Sequence, residues 1–527
     1  MVVMPLGSKM ASVFLGDLND FIQPSQACIN PLFTSDKPKD DGSTIGTAKI
    51  TLQTELSAAD LVLPQAVKPN IIRTSTEEKA TISLDDCLAC SGCVTSAETV
   101  LISQQSYKEM LDVVALQNHK FHIVTISPQS RASLAAHFSM PVITVHRKLV
   151  TMFHNLGVNL VIDSTTSGDF ALLESREEFL ARYRNQQKTI WARPPSSVAI
   201  SSAKTEILET STAAMPLQDP LVAIPMLASS CPGWICYAEK SQPNAIPFID
   251  TTKSPQQIAG SIIKRFVSGE HGIKPNDVYH VAVMPCFDKK LEASRKDFQD
   301  PEDATKDVDC VLATTEIIEL LEAVNVDFAS LELANLSPEE VLLSGISEDG
   351  LSVLGSSLKA SSGGQLEHIF RYAAKQLFNV EIKGPLEYVT ARNSDFQEVK
   401  LVVGGNEVLK FAIAYGFRNI QSIMTKIKRN RCPYHYVEIM ACPSGCLNGG
   451  GQIRPKSTLL ASELLSNVTK CFEQLHLRDP MANPAVKLVY DKYLDGMPFS
   501  KLAREVLHTR YHAVPKLEQL NPLGIKW

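Results

Sequence analysis

Tyr436-Val437-Glu438-Ile439-Met440-Ala441-Cys442-Pro443-Ser444-Gly445-Cys446 is a run of β-branched and apolar residues that ends in a proline, a glycine and two cysteines. Two other runs share its plan. Leu221-Val222-Ala223-Ile224-Pro225-Met226 leads into Ser229-Ser230-Cys231-Pro232-Gly233-Trp234, and Val281-Ala282-Val283-Met284-Pro285 leads into Cys286. Each reads as a buried strand with a cysteine just past its carboxyl end. Open α/β sheets bind ligands in the crevice at those ends, so three such loops would bring Cys231, Cys286, Cys442 and Cys446 together. Four thiolates are the usual complement of a [4Fe–4S] cluster. The glycines at Gly445 and Gly449-Gly450-Gly451 are expected to let backbone approach a bulky cofactor and donate N–H bonds to its sulfurs.

The rest of the chain agrees with such a sheet. Phe121 to Ile126 and Val158 to Ile162 read as strands, Pro128 to Phe138 and about Asp169 to Tyr183 as helices. Further strands are expected near 222–227, 279–284, 308–313 and 409–414, each followed by a helical period. Short β-rich runs alternating with helices imply βαβ units and a mostly parallel sheet, an α/β fold. Residues 34–50 and 193–220 show no sustained period and read as a loop insertion and a surface excursion.

A chain of 527 residues implies several domains. Its 44% apolar and 20% charged residues and net charge of −6 describe a globular protein with no bias toward nucleic acid or an anionic membrane. No apolar run has the length of a membrane span. Met1 to Lys9 carry no apolar core followed by a small-residue cleavage site, so no secretory signal is expected. Twelve cysteines then belong in a reducing compartment, where clustered thiols more often hold metal than form disulfides.

A second cysteine set lies near the N-terminus. Cys87-Leu88-Ala89-Cys90-Ser91-Gly92-Cys93 is C-x2-C-x2-C, the first three ligands of the bacterial ferredoxin run. The fourth ferredoxin position holds Ala97, so the fourth ligand comes from elsewhere, and Cys28 is the one cysteine upstream. A zinc ribbon would need a second C-x2-C pair, which is absent. Cys310, inside an apolar run, reads as core. Cys236 reads as a non-ligand on the helix after Cys231, and Cys432 and Cys471 have no thiol neighbourhood. Trp234 reads as a packing wall, and Lys426, Lys428, Arg429 and Arg431 as a solvated helix end.

Cys231-Pro232-Gly233-Trp234, Met284-Pro285-Cys286-Phe287-Asp288-Lys289-Lys290-Leu291-Glu292 and Met440-Ala441-Cys442-Pro443-Ser444-Gly445-Cys446 resemble the three signature segments of iron-only ([FeFe]) hydrogenases. The chain is most similar to the eukaryotic hydrogenase-like Nar-one (nuclear prelamin A recognition factor-like) family of cytosolic iron–sulfur protein assembly factors. Asp17-Leu18-Asn19-Asp20-Phe21-Ile22, Pro24-Ser25-Gln26-Ala27-Cys28, Asp86 to Cys93 and the terminal Trp527 carry that closer match. The resemblance implies a hydrogenase-like core with two [4Fe–4S] clusters, one on Cys28, Cys87, Cys90 and Cys93 and one on Cys231, Cys286, Cys442 and Cys446. It divides the chain into an N-terminal iron–sulfur region (1–105), the α/β core (106–475), and a small-subunit-like helical segment with a targeting tail (476–527). In that segment a helix opens at Asn483-Pro484 and closes near Gly496, and Ser500 to Tyr511 follow.

Hydrogenases carry two adjacent cysteines before Pro-Gly-Trp, the first delivering protons. Here that position is Ser230, far less acidic than a thiol of pKa about 8.5, although Lys289 and Met440 match positions that reach the binuclear subsite. The resemblance therefore implies an adaptor without hydrogenase activity. Its implied partners are a P-loop NTPase scaffold and a targeting complex built on a WD-repeat propeller. The implied location is the cytoplasm, with the nucleus left open. Trp527 is the expected partner anchor, with Lys526 departing from the acidic or serine residue usual before it. A hydrogenase-type redox enzyme and a zinc-held scaffold are the alternatives. No P-loop or dinucleotide-binding glycine motif is visible.

Overall fold

Strands capped by helices build the core, and the reason is local. Ser127, in extended conformation, accepts the Ser130 N–H at 3.2 Å, Pro128 takes the first helical position, and Ser139 closes the helix in the left-handed region at φ 54°. The helix Pro128–Phe138, α1, therefore starts and stops where the sequence puts it. The structure is a computed structural model that describes residues 101–116, 118–191, 224–302, 304–356, 364–455 and 460–514. Cys28, Cys87, Cys90, Cys93, the stretches 34–50 and 193–220, and Trp527 lie outside the described residues.

In chain order the strands are β1 (Phe121–Ile126), β2 (Leu160–Asp163), β3 (Met226–Ala228), β4 (Val278–Met284), β5 (Cys310–Ala313), β6 (Leu354–Gly355), β7 (Val389–Thr390), β8 (Phe396–Val403), β9 (Asn406–Tyr415), β10 (Tyr436–Met440) and β11 (His476–Leu477). One sheet has the order β2-β1-β4-β5 and is parallel throughout. Its strand β4 is buried at all seven positions, as a parallel strand covered on both faces must be. The second sheet, β3-β10-β9-β8-β7, is mixed. Its β3–β10 and β10–β9 pairs are parallel, and its β9–β8 and β8–β7 pairs antiparallel. A third, two-stranded sheet pairs β11 with β6.

The antiparallel half was not foreseen. Gly404 and Gly405, at φ 58° and 83°, supply the two left-handed residues that a tight hairpin between β8 and β9 needs. The strand foreseen near 409–414 is thus the second arm of a hairpin. Of the six other strands expected, five have bounds within two residues of the reading, and β3 begins at Met226, four residues later than expected.

The long helix Thr165–Trp191, α2, ties the sheets together. Near its start Phe170 and Leu173 pack with Ile123 and Leu160 of the parallel sheet. Two turns on, Phe179 meets Phe411 and Tyr436 of the mixed sheet at ring separations of 5.0 and 5.9 Å. Each fully buried aromatic side chain contributes on the order of 2–3 kcal/mol.

The C-terminal helices dock against the same bridge. Asn483 caps Pro484–Tyr493 by accepting the Ala485 N–H at 3.0 Å, as read from the sequence. The left-handed residue after that helix is Asp495, at φ 56°, followed by Gly496 at φ 78°. Val506 is buried among Ile258, Phe266 and Val489. Among the described residues no helix is long and apolar enough to cross a membrane.

Candidate functional site

Strand ends from both sheets converge on one cavity of about 110 Å³, several-fold more than a water molecule needs. The parallel sheet supplies Ser127 and Gln129 after β1, Ser164 and Thr165 after β2, and Cys286 after β4. The mixed sheet supplies Ser230 and Cys231 after β3, and Cys442 and Cys446 after β10. Cys231, Cys286, Cys442 and Cys446 therefore line a single space, as their positions past strand ends required. Among the described residues, no three His, Cys, Asp or Glu side chains converge as the ligands of one metal ion do. The four thiols stand around the cavity wall.

The loops are braced from outside. Ser229 Oγ donates to the Ile439 carbonyl at 2.6 Å and accepts the Cys231 N–H at 3.1 Å, which ties the ends of β3 and β10. The Ala441 N–H donates to Cys231 Sγ at 3.4 Å, a bond that favours thiolate. Trp234 is fully buried in the apolar cluster that contains Cys231, and it is not among the residues that line the cavity.

The glycines play a different part from the one expected. The Gly445 N–H donates to the Cys442 carbonyl, the Gly449 N–H to the Cys446 carbonyl, both at 3.1 Å, and the Gly451 N–H to the Pro285 carbonyl at 2.9 Å. Those donors are taken by protein carbonyls. A Cβ on Gly449 would lie 2.3 Å from the Pro285 oxygen, and one on Gly451 2.9 Å from Ala313 Cβ. Gly449 and Gly451 let the loop after Cys446 lie flat on the Pro285-Cys286 turn, and so bring two thiol-bearing loops together.

Burial pushes the Cys231 thiol up to about 12, helped by the neighbouring Cys446 and Asp288. Burial, Asp288 and the other three thiols push Cys286 well above its ordinary value. Without metal these sulfurs are protonated at neutral pH, so metal uptake must displace their protons. The donor chemistry fits an iron–sulfur cluster: four soft ligands, Cys231 buried and Cys286, Cys442 and Cys446 half-buried, around a mostly apolar space.

The sequence reading missed part of the wall. Asp288 stands two residues after Cys286, and an added Cβ at Gly233 would lie 2.9 Å from its carboxylate. Gln256 enters from the helix after Ser254-Pro255, donating to the Lys289 carbonyl at 3.1 Å. A strong capping signal marked that helix, but nothing in it pointed to the cavity. Asp169 and Ser356, hydrogen-bonded to each other, close another side. Lys289 lines the cavity with its ammonium held by Glu292 at 2.9 Å.

The other cysteines fall apart from the set. Cys310 is fully buried in β5, and Cys471 packs against the core. Cys432 packs at the edge of the mixed-sheet core. Cys236 borders a second cavity of about 20 Å³, with Ser230 and Tyr511. Lys426 corrects one expectation. Its ammonium lies 4.8 Å from the Tyr434 ring and 5.4 Å from Phe396, so only Lys428, Arg429 and Arg431 form the exposed helix end.

Residues 120–450 match the model of the iron only hydrogenase large subunit, C-terminal domain, and residues 465–514 that of the iron hydrogenase small subunit. Cytosolic iron-sulfur assembly component 3 of Rattus norvegicus is 45% identical, over 98% of this chain and 100% of its own length. Protein NAR1 of Arabidopsis thaliana is 42% identical, over 96% and 98%. An apo [FeFe]-hydrogenase HydA1 variant from Chlamydomonas reinhardtii shares the fold at a TM-score of 0.62 and 23% identity, over 77% of this chain and 98% of that one.

Proposed function

The chain belongs to the iron-only-hydrogenase-like family that includes the cytosolic iron–sulfur assembly component 3 and NAR1 proteins, and from that premise we propose that it is a cytosolic iron–sulfur assembly factor. In this reading it carries two [4Fe–4S] clusters, on Cys28, Cys87, Cys90 and Cys93 and on Cys231, Cys286, Cys442 and Cys446. It acts as an adaptor between a P-loop NTPase scaffold and a WD-repeat targeting complex, with Trp527 as an anchor for that complex. One observation carries the reading: four cysteines from three separate strand ends line one cavity in a chain similar to curated assembly factors over nearly its whole length.

A bound cluster would supply a labile iron–sulfur unit or an electron. The protein's own residues fix the thiols, present the apolar side chains of Met284 and Met440 to the cavity, and hold Lys289 neutralised by Glu292. A hydrogenase-type reading draws on Lys289, Met284 and Met440 in the wall. Ser230 opposes it, because a hydroxyl delivers protons far more slowly than a thiol.

The test is maturation of a cytosolic [4Fe–4S] apoprotein in an extract depleted of this chain. Full-length protein should restore cluster insertion, Cys90→Ala and Cys286→Ala should not, and deletion of Trp527 should weaken capture of the targeting complex with iron content unchanged. Full restoration by Cys286→Ala would overturn the proposal.

A further inference from the structure

Asp395 sits in the turn before β8, and nothing above gives it a role. Its carboxylate accepts the Ser444 N–H at 2.7 Å. Ser444 and Gly445, in the middle of the Cys442–Cys446 loop, both lie in the left-handed region at φ 60° and 72°. A serine adopts that conformation only when its surroundings hold it there.

The holder is itself held. The Asp395 N–H donates to Asn393 Oδ1 at 3.1 Å, and its carbonyl accepts the Tyr415 N–H at 2.9 Å. Buried Asn419 donates to Asn393 Oδ1 at 3.1 Å and to the Tyr415 carbonyl at 2.8 Å. The Gly416 N–H donates to the Met440 carbonyl at 2.8 Å. The strand end before Cys442 and the middle of the loop after it are thus fastened to one corner, residues 415–419.

We propose that Asp395 is a positioning residue for the cluster on Cys442 and Cys446. Its hydrogen bond keeps the Ser444–Gly445 turn left-handed, so that both thiols face the cavity before any cluster arrives, and its negative charge lowers the cluster's reduction potential. This rests on the reading that these thiols ligate a cluster. Partners that orient metal ligands commonly matter 10- to 100-fold in metal affinity.

The experiment compares the wild type with Asp395→Asn, Asp395→Ala and Asn393→Ala in the full chain, purified anaerobically. Asp395→Asn keeps an acceptor and loses the charge, so it should retain the cluster with a reduction potential shifted upward. Asp395→Ala should release C-terminal iron to a chelator on the order of 10-fold faster. In the metal-free protein, Ser444 amide hydrogen exchange should accelerate in Asp395→Ala. If that variant does not fold, Asn393→Ala should show the same changes at smaller size. Unchanged release and exchange rates would overturn the positioning role, and an unchanged potential in Asp395→Asn would overturn the electrostatic part. A wild type without C-terminal iron would refute the cluster reading, while the exchange rates would still decide what Asp395 does.

Discussion

The two sheets contribute unequally to the cavity they share. The mixed sheet brings three of the four thiols on two adjacent parallel strands, β3 and β10, already tied together by Ser229. The parallel sheet brings one thiol, Cys286, and most of the hydroxyl and amide wall. The site is therefore divided between two cores, and it is complete only when α2 holds both sheets in place. Thiols drawn from one sheet could be arranged by local loop geometry. Thiols drawn from two report on the fold as a whole.

The largest expected effect tests that division. Cys286→Ala removes the one cavity-lining thiol that the parallel sheet supplies and should lower iron from about eight to about four per chain, as severe a loss as Cys446→Ala. Iron and acid-labile sulfide analysis after anaerobic isolation measures it. Retention of a full complement in Cys286→Ala would mean that the mixed sheet holds the cluster by itself.

A stability comparison comes next. Arg131 of α1 and Asp163 at the end of β2 form a fully buried ion pair in the parallel half. Arg131→Ala leaves that carboxylate without its partner and should cost about 3–5 kcal/mol in chemical denaturation. Lys426→Ala, in the mixed half, removes a half-buried ammonium from two aromatic faces and should cost about 0.5–1 kcal/mol. Equal costs would erase the contrast.

A pH titration probes the bridge. His508 is buried, which alone would lower its pKa, but Glu174 at 2.9 Å and Glu178 at 3.5 Å, both on α2, raise it to about 9. A folded value above the ordinary 6.5 or so means that protonated His508 stabilises the folded state. That contribution is complete below the unfolded value and is lost as pH rises through about 9. Hydrogen-exchange protection in residues 484–507, taken relative to the intrinsic base-catalysed rate, should fall between pH 7 and pH 9.5, and His508→Gln should remove most of that fall. Identical pH profiles in the two proteins would show that the bridge does not rely on this charge.

The smallest expected change is in Ser230→Cys. Restoring a thiol beside Cys231 should produce no hydrogen turnover and no carbonyl or cyanide infrared bands. Turnover would require a binuclear subsite, and the adaptor reading would fail.

The parallel part of this architecture was legible because its signals are local. An apolar run ending in Pro-Cys or Ser-Cys marks both a strand and where its ligand lies, and the crevice rule does the rest. Pro128, Asn483 and Pro484 marked helix starts equally well. The antiparallel strand Phe396–Val403 was missed because its alternation is broken by Leu401-Val402-Val403, where the register shifts against β9. With that strand went Asp395, whose importance depends on a loop 49 residues away. Asp288 was in plain view, but its approach to Gly233 joins segments that only the fold brings together. The glycine-rich loop misled for a similar reason: its spacing suits contact with either a cofactor or another loop, and only the position of Pro285 distinguishes them.

The most direct test isolates the cavity. A full-length protein in which Cys87, Cys90 and Cys93 are replaced by alanine loses three thiols of the N-terminal set and keeps all four that line the cavity. Mössbauer spectroscopy with iron and sulfide analysis, after anaerobic reconstitution, should show about four irons and four sulfides per chain in one [4Fe–4S] cluster. Stoichiometric zinc without sulfide, or no bound metal in a folded protein, would contradict the account.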